Sequence, residues 1–398
     1  MLTLRTKRRI AFVYITLASV CFCVIVSELV GQGIYILLRG MPLLRRFDID
    51  PSQQIFELHP YMAGRLKKDF RLIMDGKTAM TMSDHTRWTG AVAATRDAIR
   101  IAVLGGSTTF GTKVTDADSW PALLQATLGP RFIVTNYGVP GYSTAEAIIQ
   151  MSLLLPEDAP QIIVFYGGWN DIKNYHMPNL TADYYAHGMS QYGNLGIPLK
   201  LQNEPILTTA IRASALFALA HRLSEVIAGS PPEHTTAADQ IFATPDPFVD
   251  RVYTRNLETL NLLARGRGEI MLFVPQVLNY AYFRNTKGSS GWSPHIDNAA
   301  MPALMHRFNS LMKSACAPAG SGCEYLDEVE TAEWDQADFQ DEGHFNRRGG
   351  LQFATLVAAR ITALNKRSSL LESHRTVRTP PEVVAGVQAQ QTAPDVKH

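Results

Sequence analysis

The run Ile99-Arg100-Ile101-Ala102-Val103-Leu104-Gly105-Gly106-Ser107-Thr108-Thr109-Phe110-Gly111 decides the fold. Its first six residues form a β-rich, almost continuously apolar segment, as a strand buried on both faces of a parallel sheet requires. The run then breaks into glycines around one serine. Such a strand-to-helix turn presents the serine hydroxyl and its amide at the carboxyl edge of the sheet, where ligands of α/β proteins bind. A phosphate-binding loop would carry Lys directly before Ser or Thr, and the position before Ser107 is Gly106.

Four further apolar runs follow: Phe132 to Thr135, Ile162 to Tyr166, Ile270 to Val274 and Glu324 to Leu326. Between them lie helical patterns at Trp120 to Leu128, Thr144 to Leu154, Pro247 to Ala264, Met301 to Ala315 and Leu351 to Leu364. The alternation predicts an α/β three-layer sandwich of the flavodoxin-like kind, with a central parallel five-stranded sheet, over residues 98–366. The strand-free interval 172–244 reads as an insertion over the active face. Its apolar segment from Ile206 to Ile227 carries Arg212, His221, Arg222 and Glu225, which favours a packed amphipathic element over a second span.

The segments after the first three strands and one near the C-terminus hold the candidate chemistry. Asn136-Tyr137-Gly138-Val139-Pro140-Gly141 brings glycines that allow close backbone approach to a ligand, and Gly167-Gly168-Trp169-Asn170-Asp171 offers Asn170 as an amide donor and Asp171 as a turn-holding carboxylate. Asp341-Glu342-Gly343-His344 places an acid three residues before a histidine. On a helical turn the two share a face, so Asp341 can orient His344, with Asp338 as a competitor.

In this order the four blocks resemble the SGNH hydrolases, or GDSL-type esterases and lipases, over essentially all of residues 98–366. Gly106-Ser107, Gly141, Gly168-Trp169-Asn170-Asp171 and Asp341 with His344 match the family blocks. Gly106 departs from the Asp of the family name and fits a subgroup whose turn reads Gly-Gly-Ser-Thr-Thr. The resemblance implies a serine ester mechanism: Ser107 as nucleophile, His344 as general base, Asp341 as its orienting acid, and an oxyanion hole from Ser107, Gly141 and Asn170. Gly106, Gly168 and Asp171 are supporting residues. No cofactor or metal is implied, since the cysteines lack paired zinc-ligand spacing and no H-E-x-x-H pattern occurs. The expected substrate is an O-acetyl or other O-acyl ester on a surface or exported glycan. A lipid ester, transfer of the acyl group to a sugar, and an inactive scaffold of polysaccharide export are the alternatives.

The 398 residues carry 37 Lys+Arg against 36 Asp+Glu, and scattered basic residues give no nucleic-acid footprint. Apolar residues concentrate near the start. Residues 1–9 contain Arg5, Lys7, Arg8 and Arg9; residues 10–38 then run without charge to Val26 and resume after Glu28. That is enough to cross about 30 Å of hydrocarbon, and the basic flank favours a cytoplasmic N-terminus despite Arg39, Arg45 and Arg46. No small-x-small site follows, so the helix reads as an uncleaved inner-membrane anchor with Cys21 and Cys23 as bystanders. The catalytic domain is then periplasmic or extracellular. There, Cys316 and Cys323 have the opportunity to form a disulfide around a short flexible loop, worth about 2.5 kcal/mol in the chain-entropy model. Residues 39–97 form a juxtamembrane extension without assignable chemistry, and 367–398 a polar tail too poor in large apolar residues to pack.

Overall fold

The computed structural model describes residues 3–39, 54–62, 64–74, 78–90, 95, 97–178, 180–183, 214–220, 240–290, 292–317 and 322–367. The expected tail and most of the 172–244 insertion lie outside the described residues. The chain divides into two compact units, Met1–Gln54 with Tyr192–Ala238 and Ile55–Gln191 with Asp239–His398.

The first unit contains α1 (Leu4–Arg39), a single 36-residue helix. Its segment Leu4–Leu37 has a mean hydropathy of 2.5 at its most apolar and is long enough to span a membrane. The one acid in its apolar stretch is not left alone. Glu28 accepts hydrogen bonds from Gln32 Nε2 at 2.7 Å, Ser214 Oγ at 2.7 Å and the amides of Ala215 at 2.7 Å and Leu216 at 3.2 Å. Its carboxylate thus satisfies the first amides of the helical turn 215–220, one of the described stretches of the insertion.

The second unit is built on an eight-stranded sheet. After the short hairpin β1 (Phe56–Glu57) and β2 (Arg65–Leu66) come β3 (Arg71–Met74), β4 (Thr78–Ser83), β5 (Thr86–Arg87), β6 (Ile99–Gly105), α2 (Ser107–Phe110), α3 (Trp120–Leu128) and β7 (Phe132–Asn136). They are followed by α4 (Thr144–Leu153), α5 (Leu155–Asp158), β8 (Ile162–Tyr166), α6 (Trp169–Ile172), α7 (Pro247–Gly266), β9 (Ile270–Val274) and α8 (Tyr280–Asn285). The last elements are α9 (Met301–Cys316), β10 (Cys323–Tyr325), α10 (Asp327–Thr331) and α11 (Arg347–Arg367).

The sheet order is β10-β9-β8-β6-β7-β5-β4-β3. The five strands β10, β9, β8, β6 and β7 are mutually parallel, with Val103 opposite Val164 and Val164 opposite Leu272. This is the expected five-stranded core. The remaining three strands come from the segment before residue 98 and extend the sheet antiparallel, Arg87 pairing with Asn136. Their alternation is short and interrupted by polar residues, so they carry no strong strand pattern in sequence.

Side chains alternate across the sheet as its pleat demands. Leu104, Ile163, Phe165, Met271 and Phe273 point into one core with Tyr253 and Leu257 of α7 and Met305 and Phe308 of α9. Val103, Ile162, Val164, Leu272 and Val274 point into the other with Trp120 of α3 and Phe353 and Val357 of α11. Helices on both faces explain why the strands read as continuous apolar runs. The turns that carry the first three sequence blocks leave the carboxyl ends of β6, β7 and β8 at the same edge, and the fourth block lies between α10 and α11.

Candidate active site

Ser107 opens α2 directly after β6. Its hydroxyl donates to Nε2 of His344 at 2.8 Å, and Nδ1 of His344 donates to Asp341, lying 3.0 Å from Oδ1 and 2.9 Å from Oδ2. The acid and histidine are not on a helical turn. Asp341 Oδ1 accepts the amides of Gly343 at 3.0 Å and His344 at 2.8 Å, so the carboxylate closes its own turn and fixes the three-residue spacing that way. Asn279, after β9, braces this turn by donating its amide to Glu342 O at 2.9 Å and its Nδ2 to Asp341 O at 3.0 Å.

Burial opposes ionisation of Asp341. Hydrogen bonding to His344, its charge, the Lys113 ammonium and the Gly343 amide outweigh that and hold the carboxyl well below the usual carboxylate range. Lys113 Nζ stands 2.8 Å from Asp341 Oδ2. Asp338, the competitor in sequence, faces elsewhere: it accepts the Asp335 amide at 2.8 Å and lies 3.1 Å from Arg348 Nε.

The other blocks converge on Gly106. A Cβ there would lie 2.2 Å from Asn170 Nδ2 and 3.2 Å from Tyr142 O. Asn170 is buried in α6 and donates one Nδ2 hydrogen to Tyr142 O at 2.6 Å, leaving its second for another acceptor. Gly141 and Gly168 adopt φ of +87° and +115°, conformations that favour glycine. Asp171 is fully buried and accepts the Thr144 amide at 3.2 Å and the Thr144 hydroxyl, while Asn256 of α7 donates to that hydroxyl oxygen at 2.9 Å. It thereby ties α6 to the start of α4, immediately after the Gly141-Tyr142-Ser143 loop.

Arg87 was invisible as a functional candidate. It is 1% exposed and lies 3.2 Å from Asp116 Oδ1, donates to the carbonyls of Phe110 at 2.6 Å and Val114 at 2.7 Å, and also bonds Gly111 O. These carbonyls belong to the end of α2 and the loop beyond it. Asp116 in turn accepts the Thr81 amide at 3.0 Å. The strands of the extension thus hold the far end of the helix that Ser107 begins. No local pattern marks Arg87 or Lys113, because each meets its partners only through the fold.

Cys316, at the end of α9, and Cys323, at the start of β10, are disulfide-bonded with Cα atoms 5.3 Å apart. The bond lies at the amino end of β10, away from the carboxyl edge that carries Ser107.

A serine hydrogen-bonded to an acid-oriented imidazole at the carboxyl edge of a parallel sheet is an arrangement that can carry out acyl transfer from esters. The chain matches the model of the GDSL-like lipase/acylhydrolase family over residues 103–350, well over half its length, and belongs to that family. It is a hydrolase acting on ester bonds. Among solved structures it is similar to the lipase/acylhydrolase from Enterococcus faecalis, at 13% identity over 67% of this chain and 96% of that one, with a TM-score of 0.38. It is likewise similar to the esterase EstA from Pseudoalteromonas sp., at 11% identity over 67% and 98% of the two chains, with a TM-score of 0.36. An acetyl xylan esterase gives 10% identity over 66% and 100%, with a TM-score of 0.36. Among curated proteins, none matches the chain in sequence.

Proposed function

We propose that the protein is a membrane-anchored serine esterase that removes O-acyl groups, most simply O-acetyl, from a surface or exported glycan. The observation that carries the reading is the unbroken line Ser107 Oγ, His344 Nε2, His344 Nδ1, Asp341, with both hydrogen bonds at 2.8–3.0 Å. In this mechanism Ser107 Oγ attacks the ester carbonyl while His344 takes its proton and Asp341 stabilises the imidazolium. The tetrahedral oxyanion is received by the amides of Ser107 and Gly141 and by the second Nδ2 hydrogen of Asn170. A donor of this type contributes about 2.7 to 4 kcal/mol to the transition state. Collapse breaks the bond to the alcohol, which leaves with the proton from His344. Water then attacks the Ser107 ester, again giving its proton to His344, and the carboxylic acid departs as Ser107 is reprotonated.

The apolar α1 behind its basic flank supports an inner-membrane anchor with the N-terminus cytoplasmic, and the Cys316–Cys323 bond supports an oxidising compartment for the catalytic unit. A glycan ester is the substrate that such a placement brings within reach.

The test is turnover of p-nitrophenyl acetate, butyrate and longer esters by the full chain in detergent, beside Ser107→Ala. Serine-dependent hydrolysis that favours acetate is expected. Turnover unchanged in the variant overturns the mechanism, and a preference for long chains overturns the acetyl assignment. A periplasm-only reporter fused after His398 should be active; activity of a cytosolic reporter there reverses the topology.

A further inference from the structure

We propose that Lys113 is a positioning residue for the Asp341–His344 pair, one whose charge keeps the imidazole free to accept the Ser107 proton in mildly acidic surroundings. The proposal rests on the serine-esterase reading above.

Lys113 follows α2 in sequence and returns to the site as an ammonium 2.8 Å from Asp341 Oδ2, an oxygen that His344 Nδ1 approaches at 2.9 Å. The other oxygen, Oδ1, already takes the amides of Gly343 and His344. Asp341 is therefore held on both oxygens, by backbone on one side and by Lys113 on the other. The pair raises the affinity of Lys113 for its proton, chiefly through the hydrogen bond to Asp341, with burial opposing, so the lysine is a fixed cation.

A bare carboxylate on Nδ1 assists His344 when it takes the Ser107 proton, but it equally attracts a solvent proton that disables the base. A fixed cation on the same carboxylate weakens both, and it is the second that sets the acid limb of the rate. Among the described residues the charges around this turn are few. Glu342 acts on Lys113 from the turn itself, the brace from the loop after β9 is the neutral Asn279, and α2 contributes Ser107. At the start of α11, Arg347 is bonded to Asp118 and Arg348 to Asp338. Among the described residues Lys113 is thus the lysine or arginine that contacts Asp341, and its side chain is 51% exposed against 13% for the acid. Lys113 is the half-exposed member, and without it Asp341 still accepts the Gly343 and His344 amides and His344 Nδ1, so removal of the lysine leaves the fold intact.

The experiment follows two rates against pH for the full chain in detergent: kcat/KM for p-nitrophenyl acetate and the labelling of Ser107 by a fluorophosphonate. In Lys113→Met the acid limb of both profiles is expected to move up by about half to one pH unit. Lys113→Arg should return both limbs to the wild-type position, and added salt should shift the wild-type limb toward that of Lys113→Met. An unmoved limb, or a loss of rate equal at every pH, overturns the proposal while Ser107 labelling leaves the esterase reading standing. A wild-type chain that does not label at Ser107 overturns both.

Discussion

Gly106 and Asn170 are in a contact that leaves no room for a side chain, since a Cβ at 106 would sit 2.2 Å from Nδ2. Asn170 is buried and fastened to Tyr142 O, so it cannot swing aside without giving up that bond. In this chain the position before Ser107 therefore fits glycine. Gly106→Ala is expected to lower kcat on the order of 100-fold by displacing a group that must be placed to within an ångström. Gly106→Asp should cost at least as much. Steady-state kinetics beside far-UV circular dichroism checks this, and an active, folded Gly106→Asp enzyme would show that the contact yields.

Asp171 carries a separate prediction. Its carboxylate receives both the amide and the hydroxyl of Thr144 in a fully buried setting, so truncation strands two donors. Asp171→Ala should destabilise the protein by about 3 kcal/mol and lower kcat, because the loop bearing Gly141 loses one of its ties to α6. Asp171→Asn keeps one acceptor and should lose less of both. Denaturant midpoints and kcat measured together separate the two effects.

The parallel core and the serine turn were legible because burial on both faces and a break into glycine leave local traces, as in Ile162 to Tyr166 and Gly105-Gly106-Ser107. Asp341 and His344 were legible by spacing, although the spacing is enforced by a carboxylate-closed turn and not by a helix. Arg87 and Lys113 were not, because their partners lie elsewhere in the sequence and a lone cation has no pattern. The strands β3 to β5 leave no such trace either. Short antiparallel strands of this kind carry mixed polar residues such as Arg71, Thr81 and Ser83, which read as loop.

The Cys316–Cys323 bond separates stability from catalysis. It joins α9 to the amino end of β10, whereas Ser107 leaves the carboxyl end of β6. Cys316→Ser with Cys323→Ser should therefore lower stability by up to about 2.5 kcal/mol and leave kcat near the wild-type value at 25 °C. Thermal unfolding with and without reductant is the measurement. A large fall in kcat would place the site's integrity under the control of this loop.

The last prediction concerns the segment before residue 98. Arg87 is buried with its guanidinium shared among Asp116 and the carbonyls of Phe110, Gly111 and Val114, and its ring neighbour Phe110 lies 4.7 Å away. Removing it leaves Asp116 buried beside uncompensated carbonyls, which costs about 3 to 5 kcal/mol when one member of a buried pair is lost. Arg87→Met should lower the urea midpoint accordingly and reduce kcat in the fraction that stays folded, since α2 begins with Ser107 and ends at Phe110. Arg87→Lys restores the charge but not the planar fork that reaches several acceptors at once, so it should recover only part of the loss. A chain beginning at residue 98 lacks Arg87 and three strands of the sheet, and should lose stability and esterase turnover together. Full stability in that shortened chain would show that the extension merely rests on the sheet edge.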